Sequence, residues 1–362
     1  MKKFLISIIV TFCVVAAPLC AFEWGGLITD DTGFSIPDYT LNQSNGISLW
    51  FNTPIGEDFS FSGEALYKYN FNKPKDIDGT LSHLVDVPLL KFSGEIETSG
   101  GSLELNAGRF NYVDKTSAVY SNTCDGVSVD YTLPLVKFGA FAGYTGLVNS
   151  LTSYLPSLNN NKFYNMAYAY APVSAYVEFP ALLGNQSFGV QGLVMLDLGS
   201  IKKNSYFANI TLSGPVTNRI YYSLVSSLGS VDFDSLMLYS AFSLIAFPAD
   251  GIFINAGAEF GSAEGQGGFS SFASLASSAG GKIVPKLGFT FATNKISFDL
   301  SGRYNLAYDG SGYKGAGIDA SAGFIYNIFS DFQVGLNFKA SLDPSDSAKN
   351  TYAGSLNVAL AF

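Results

Sequence analysis

The feature that most constrains this chain is an alternation of period two that runs to its final residue. From Thr351 to Phe362, Tyr352, Leu356, Val358, Leu360 and Phe362 fall on one face of an extended segment together with Gly354, while Thr351, Ala353, Ser355, Asn357, Ala359 and Ala361 fall on the other. Successive side chains of a strand point to opposite sides, so this spacing describes a strand with one apolar face and one small or polar face. A single strand of this kind fits any half-buried sheet. The pattern recurs along most of the chain, however, and is cleanest where Ile296, Phe298, Leu300, Tyr304, Leu306 and Tyr308 oppose Ser297, Asp299, Ser301, Arg303, Asn305 and Ala307.

Composition says which kind of sheet this is. Charged residues make up 14% of the chain and aromatic ones 15%, against about 25% charged in soluble domains. A soluble β-sandwich would carry more surface charge. The stretch Phe138 to Asn161 has no charged residue, yet Gly139, Gly143, Gly146, Pro156 and several Asn and Ser oppose a membrane-spanning helix there. Apolar residues interleaved with polar ones are what strands with one face in lipid require. The formal net charge of −9 argues against a nucleic-acid partner, since phosphate binding needs clustered Lys and Arg.

The N-terminus opens with Lys2 and Lys3, an apolar run from Phe4 to Val15 and then small residues. This is the layout of a secretory signal peptide, too short to anchor a membrane as a helix. Cleavage is expected after Ala21, because cleavage after Ala17 would place Pro18 next. Residues 1–21 are therefore read as a signal peptide and residues 22–362 as one barrel domain. Cys20 offers a rival reading as a lipidated cysteine, but Leu19 precedes it where a small residue is needed. With Cys13 and Cys20 in the leader, Cys124 is the one thiol left, expected in a loop, without a disulfide and without chemistry.

The fold class expected is all-β: a closed antiparallel transmembrane barrel of about eighteen strands, with sixteen the next choice. The weak members are the first hairpin, Phe22 to Ile28 and Gly46 to Asn52, and the segment Met166 to Phe179. Short connections such as Ser99 to Gly101, Pro248 to Gly251, Thr293 to Lys295 and Ile328 to Asp331 carry Gly, Pro, Asn or Asp, as tight reversals require. Most of the connections between them read as longer: Asp30 to Ser44, Asn72 to Asp86, Val113 to Asp125, Leu147 to Lys162, Ser262 to Gly281, Asp309 to Gly315 and Asp343 to Asn350.

A terminal apolar strand ending on Phe362, with connections of alternating length, resembles the bacterial outer-membrane β-barrels and, in layout, the porins. The resemblance implies short periplasmic turns, long external loops and a bacterial outer-membrane location, with outer-membrane lipid as surroundings. It also implies that Tyr352, Leu356, Val358, Leu360 and Phe362 serve as an assembly signal for the barrel assembly machinery. In porins the third external loop often folds into the lumen. Val113 to Asp125 occupies that place here, with Gly108-Arg109-Phe110 before it and Asp125-Gly126-Val127 after it. Whether it, or the helically spaced Leu147 to Leu158, enters the lumen or folds over the rim stays open at this point.

A barrel of about 16 to 18 strands leaves an aqueous channel. The inward residues are expected to be small or polar, and the charged ones to line the lumen: Glu64 and Lys68, then Lys91, Glu95 and Glu104, then Asp130, Asp197 and Glu259, and last Asp299, Arg303, Asp319 and Lys339. Arg109 joins them if a bulge at Gly108 swings it inward and Phe110 outward. A symmetric hairpin about Phe329 would set Asp319 opposite Lys339. A slight acidic excess gives a weak cation preference. The function expected is passive diffusion of small hydrophilic solutes. A surface-exposed structural or adhesive barrel with an occluded lumen is one alternative, and a transporter of hydrophobic compounds another. His83, the one histidine, is expected as a solvated loop residue, and the reading includes no catalytic group, metal or cofactor.

Overall fold

The computed structural model describes residues 22–145, 170–182, 184–199, 203–263, 269, 272 and 280–362. The expected signal segment, the helically spaced Leu147 to Leu158 and the start of the strand expected from Met166 lie outside the described residues. Eighteen strands follow one another: β1 (Glu23–Ile36), β2 (Thr40–Ile55), β3 (Phe59–Lys73), β4 (Thr80–Thr98), β5 (Gly101–Val113), β6 (Ser121–Thr132), β7 (Lys137–Tyr144), β8 (Tyr170–Leu182) and β9 (Gln186–Asp197). The second half comprises β10 (Ser205–Thr217), β11 (Ile220–Val231), β12 (Ser235–Ala249), β13 (Ile252–Gly261), β14 (Lys282–Ala292), β15 (Ile296–Tyr308), β16 (Tyr313–Asn327), β17 (Phe332–Leu342) and β18 (Thr351–Ala361).

Each strand pairs antiparallel with its neighbours in sequence, and β18 returns to β1 from Leu27↔Ala361 to Ile36↔Tyr352. No edge is left open, so the wall is closed as a sheet in lipid must be. The rim that carries both termini has only tight connections, such as 56–58, 99–100, 250–251 and 293–295. The longer ones, 114–120, 145–169, 262–281 and 343–350, all lie at the opposite rim.

Several expected connections are shorter than their polarity suggests. Asp30 to Ser44 is mostly ladder, with β1 and β2 paired up to Ser35↔Thr40 and only Pro37 to Tyr39 between them. Asn72 to Asp86 likewise contracts to residues 74–79, which puts His83 in strand β4 rather than in a loop. Pairing continues wherever the two backbones stay side by side, whether or not one face remains apolar, so loss of alternation marked the end of the greasy band and not the end of the strand. The β16–β17 hairpin reverses one residue later than expected. Asp319 therefore faces Ser341, and Lys339 faces Ser321.

The two faces of the wall differ as the alternation requires. Trp24, Leu287, Phe338 and Phe362 stand on the convex face, with Trp24 65% exposed. The buried cluster lies on the other side, where Leu193, Met195, Phe207, Met237 and Tyr239 pack against Val119, Tyr120, Phe269 and Phe272 from two connections of the longer-looped rim. Core inside and an uncovered apolar row outside is the inverse of a soluble domain's surface.

The candidate pore and its constriction

Asp114 organises the site. Its carboxylate accepts from the backbone N–H groups of Thr116 (2.9 Å), Val119 (3.1 Å) and Tyr120 (2.9 Å), from the Thr116 hydroxyl and from Asn209 Nδ2 on β10 at 3.0 Å. The connection Asp114 to Tyr120 is thereby wound on itself and tied across the barrel. Its second tether is Lys115, whose N–H donates to Gln191 Oε1 at 2.8 Å and whose ammonium bonds Glu178 at 2.6 Å, 3.8 Å from the Tyr176 ring centroid. Burial pushes the Asp114 carboxyl above its ordinary range, with the donors pulling it back. Phe272 adds a third tether, donating its N–H to Val119 O at 2.7 Å.

These contacts identify the inner face. From Asn209, the direct ladder partners run through Gln191, Tyr176, Gly139, Asp130 and Glu104 to Glu95. Glu64, Lys68, Lys91, Asp197, Glu259, Asp299, Arg303, Asp319 and Lys339 share that face by the same parity. Asp197 sits at its rim, accepting from the N–H groups of Gly199 and Lys203. Arg109 does not line the lumen. The β4–β5 ladder shows no register shift at Gly108 and ends at Leu90↔Arg109. There Arg109, 6% exposed, is held within the wall, donating to Val87 O at 2.7 Å and to Asp125 at 3.0 Å. Phe110 correspondingly points inward, edge-on to Phe141 beside Cys124. Cys124 is thus a buried strand residue and not a loop thiol.

Two recesses adjoin on this face. One, of about 320 Å³, lies between Thr116 to Ala118 and the wall at Ser223, Tyr239 and Glu259; the other, of about 610 Å³, follows β14 to β1 past Ser301, Arg303, Ser321, Lys339 and Ser341. Asn255 and Lys286 line both, so the space beneath the inward loop is continuous with the space along the far wall. The charges there are largely matched. Lys286 pairs with Glu259, and Arg303 donates to Asp319 at 2.8 Å. Asp319 also accepts from Asn305 and Ser341.

Sequence reasoning missed Asp114, Lys115, Gln191 and Asn209. A signal was present in β9, where Val190, Leu193, Val194, Met195 and Leu196 are apolar on both faces. One face meets lipid, so the other requires a packed partner. His83 lies on the convex face, its Nδ1 2.7 Å from Tyr67 Oη and its ring edge-on to Tyr69.

Neither a protein-family model nor a curated relative matches the sequence. Solved structures do. The chain aligns with Pseudomonas aeruginosa OccK1 (OpdK) at TM-score 0.64 and 12% identity, covering 94% of this chain and 98% of that one. OccK11 (OpdR) of the same organism gives 0.63 and 8%, covering 94% and 96%, and OccK5 (OpdH) gives 0.59 and 9%, covering 94% and 98%. Likeness of fold over nearly all of both chains, together with the closed ring of strands, makes this an eighteen-stranded barrel with the fold of the bacterial outer-membrane porins.

Proposed function

We infer that this chain is an outer-membrane channel for passive diffusion of small hydrophilic solutes, exported by its signal peptide and inserted through its terminal strand. The observation that carries the reading is the inward loop facing a polar wall that no other described residue covers, with Asn255 and Lys286 bordering the space on both sides. Among the described residues that loop narrows the lumen without closing it, and such a constriction sets an upper size for solutes. The fold shared with the Occ barrels supports the location.

A weak cation preference accompanies it. With Arg109 in the wall the lumen has one base fewer, and among the described residues the inward acids in no ion pair, Glu64, Glu95, Glu104, Asp130 and Asp299, outnumber the inward bases in none, such as Lys68, Lys91 and Lys339. Lys115, contributed by the loop, is already matched to Glu178. Conductance of the refolded protein in a planar bilayer tests both statements. Defined steps with a reversal potential on the cation side of a salt gradient are expected. Silence favours an occluded surface barrel, and an anion-side potential refutes the preference alone.

A further inference from the structure

Three glycines stand in one row where β5 and β6 leave the wall. Gly108 on β5, Gly126 on β6 and Gly143 on β7 are direct ladder partners on the inward face. Gly108 takes a φ of 119°, and a side chain there would meet Leu90 O. A side chain on Gly126 would meet Ala142 O at 2.6 Å, and the Phe141 ring lies over both Gly126 and Gly143. The lumen side of this row is therefore bare backbone, along which a sheet can bend toward the barrel axis.

The hairpin does bend there. Tyr112 pairs with Asn122 and Phe141 with Ser128, so the stretch of β6 from 122 to 128 separates the two positions, about 20 Å at about 3.3 Å per residue. Their rings nonetheless stack with centroids 3.7 Å apart. The Tyr112 hydroxyl lies 2.6 Å from Ser174 Oγ on β8 and accepts from Gln191 on β9 at 3.1 Å. Past the glycine row the hairpin end has thus turned back over the inner faces of β7 to β9, with the connection 114–120 at its tip.

Arg109 sits at the corner. The β4–β5 ladder ends at Leu90↔Arg109, while β3–β4 runs on to Asn72↔Thr80 and β5–β6 to Val113↔Ser121. At that fork Arg109 donates through Nε to Val87 O of β4 at 2.7 Å and through its other arm to Asp125 of β6 at 3.0 Å. Two bonds from one planar group in different directions fix an angle, which a single ammonium cannot do.

We propose that the constricting element is this folded hairpin end, residues 109–125, and that Arg109 is its positioning residue, setting from within the wall how far the arm reaches into the lumen. That the arm constricts a pore rests on the channel reading above. The test uses the full chain with Cys13→Ser and Cys20→Ser, which leaves Cys124, buried in the arm, as its one thiol. Refolded Arg109→Lys and Arg109→Ala barrels should keep the heat-modifiable gel mobility of a closed barrel. They should label at Cys124 with a maleimide at least about tenfold faster than the parent and conduct in steps at least about one and a half times larger. Tyr112→Phe, which takes the hydroxyl from Ser174 and Gln191 and leaves the wall alone, should act in the same direction, and it decides the matter if the Arg109 variants do not fold. Closed barrels that label like the parent, or that label faster with unchanged steps, overturn the proposal. Labelling that rises only with loss of the closed form does so too, since Arg109 then merely stabilises the wall. A parent that passes no current overturns the channel reading, and the labelling still decides whether Arg109 positions the arm.

Discussion

Two sectors of the same wall share an outer face and differ inside. Along β8 to β12 the inward positions are Gln191, Leu193, Met195, Phe207, Asn209 and Tyr239, and the loop Asp114 to Tyr120 covers them so fully that Met195 and Asn209 are 0% exposed. Along β14 to β18 the inward positions are Lys286, Ser301, Arg303, Asp319, Ser321 and Lys339, and they line the larger recess. The outward rows of the two sectors, Val190 and Ile210 in one, Leu300 and Phe338 in the other, are alike. In both sectors the outer row is apolar. The inner row is free to answer to what lies against it, a folded loop in one sector and a recess lined by Ser, Lys, Arg and Asp in the other.

If the packed sector is what narrows the channel, loosening it should have the largest effect. Tyr120 is fully buried among Val119, Leu193, Met195 and Phe272, and truncating a buried aromatic costs about 3–5 kcal/mol. The polar tethers of the seven-residue loop 114–120, at Asp114 and Lys115, lie at its start, whereas Tyr120 anchors its end. Tyr120→Ala should therefore undock it and raise single-channel conductance at least about twofold. Asp114→Ala should come next, since each buried donor left without an acceptor costs about 1–3 kcal/mol. Its expected signature is a noisy trace in which wild-type and enlarged steps interconvert. Unchanged steps in both variants would mean that the narrowest point lies elsewhere.

Much of this division was legible, though unevenly. The barrel, its closure and its orientation of long and short connections follow from period-two rows such as Ile296 to Tyr308, because an unpaired polar residue facing lipid is costly. Loop docking left a weaker trace, since an inward Leu193 or Met195 breaks no rule of the outer row. Arg109 was misplaced for a related reason. A charge on an outward position was read as a shift in strand phase, whereas Asp125 on the neighbouring strand neutralises it in place. Cross-strand partners are set by register, and register depends on turns whose centre a sequence does not mark, as the one-residue displacement of the Ile328 to Asp331 reversal shows.

In the open sector the expected effects are smaller and of another kind. Arg303 is about half exposed and its pair with Asp319 faces solvent, so removing it should cost no more than about 1 kcal/mol of stability. Arg303→Ala should leave step size nearly constant and move the reversal potential further to the cation side, because Asp319 then stands unmatched. A changed step with constant selectivity would show that this wall shapes the constriction and not merely the field within it.

Acid should separate the two sectors by sign. The Asp114 carboxyl, raised by burial, binds a proton more readily when the loop is docked than when it is free. Docking is therefore weakest above that raised value and strengthens as pH falls through it toward the ordinary carboxylate range near about 4. Conductance should accordingly become smaller and quieter in acid, and Asp114→Asn should abolish that dependence. Asp309, in the exposed turn between β15 and β16, behaves oppositely. Its carboxyl is held below the ordinary range, first by Lys314 and then by the N–H and hydroxyl of Ser311. The turn keeps that support above the ordinary carboxylate range and loses it as pH falls through the lowered value. Asp309→Asn should leave conductance untouched and only hasten hydrogen exchange at the Ser311 and Gly312 amides, both of which donate to Asp309. A change in conductance from this turn would instead place the open sector's rim within the path of the solute.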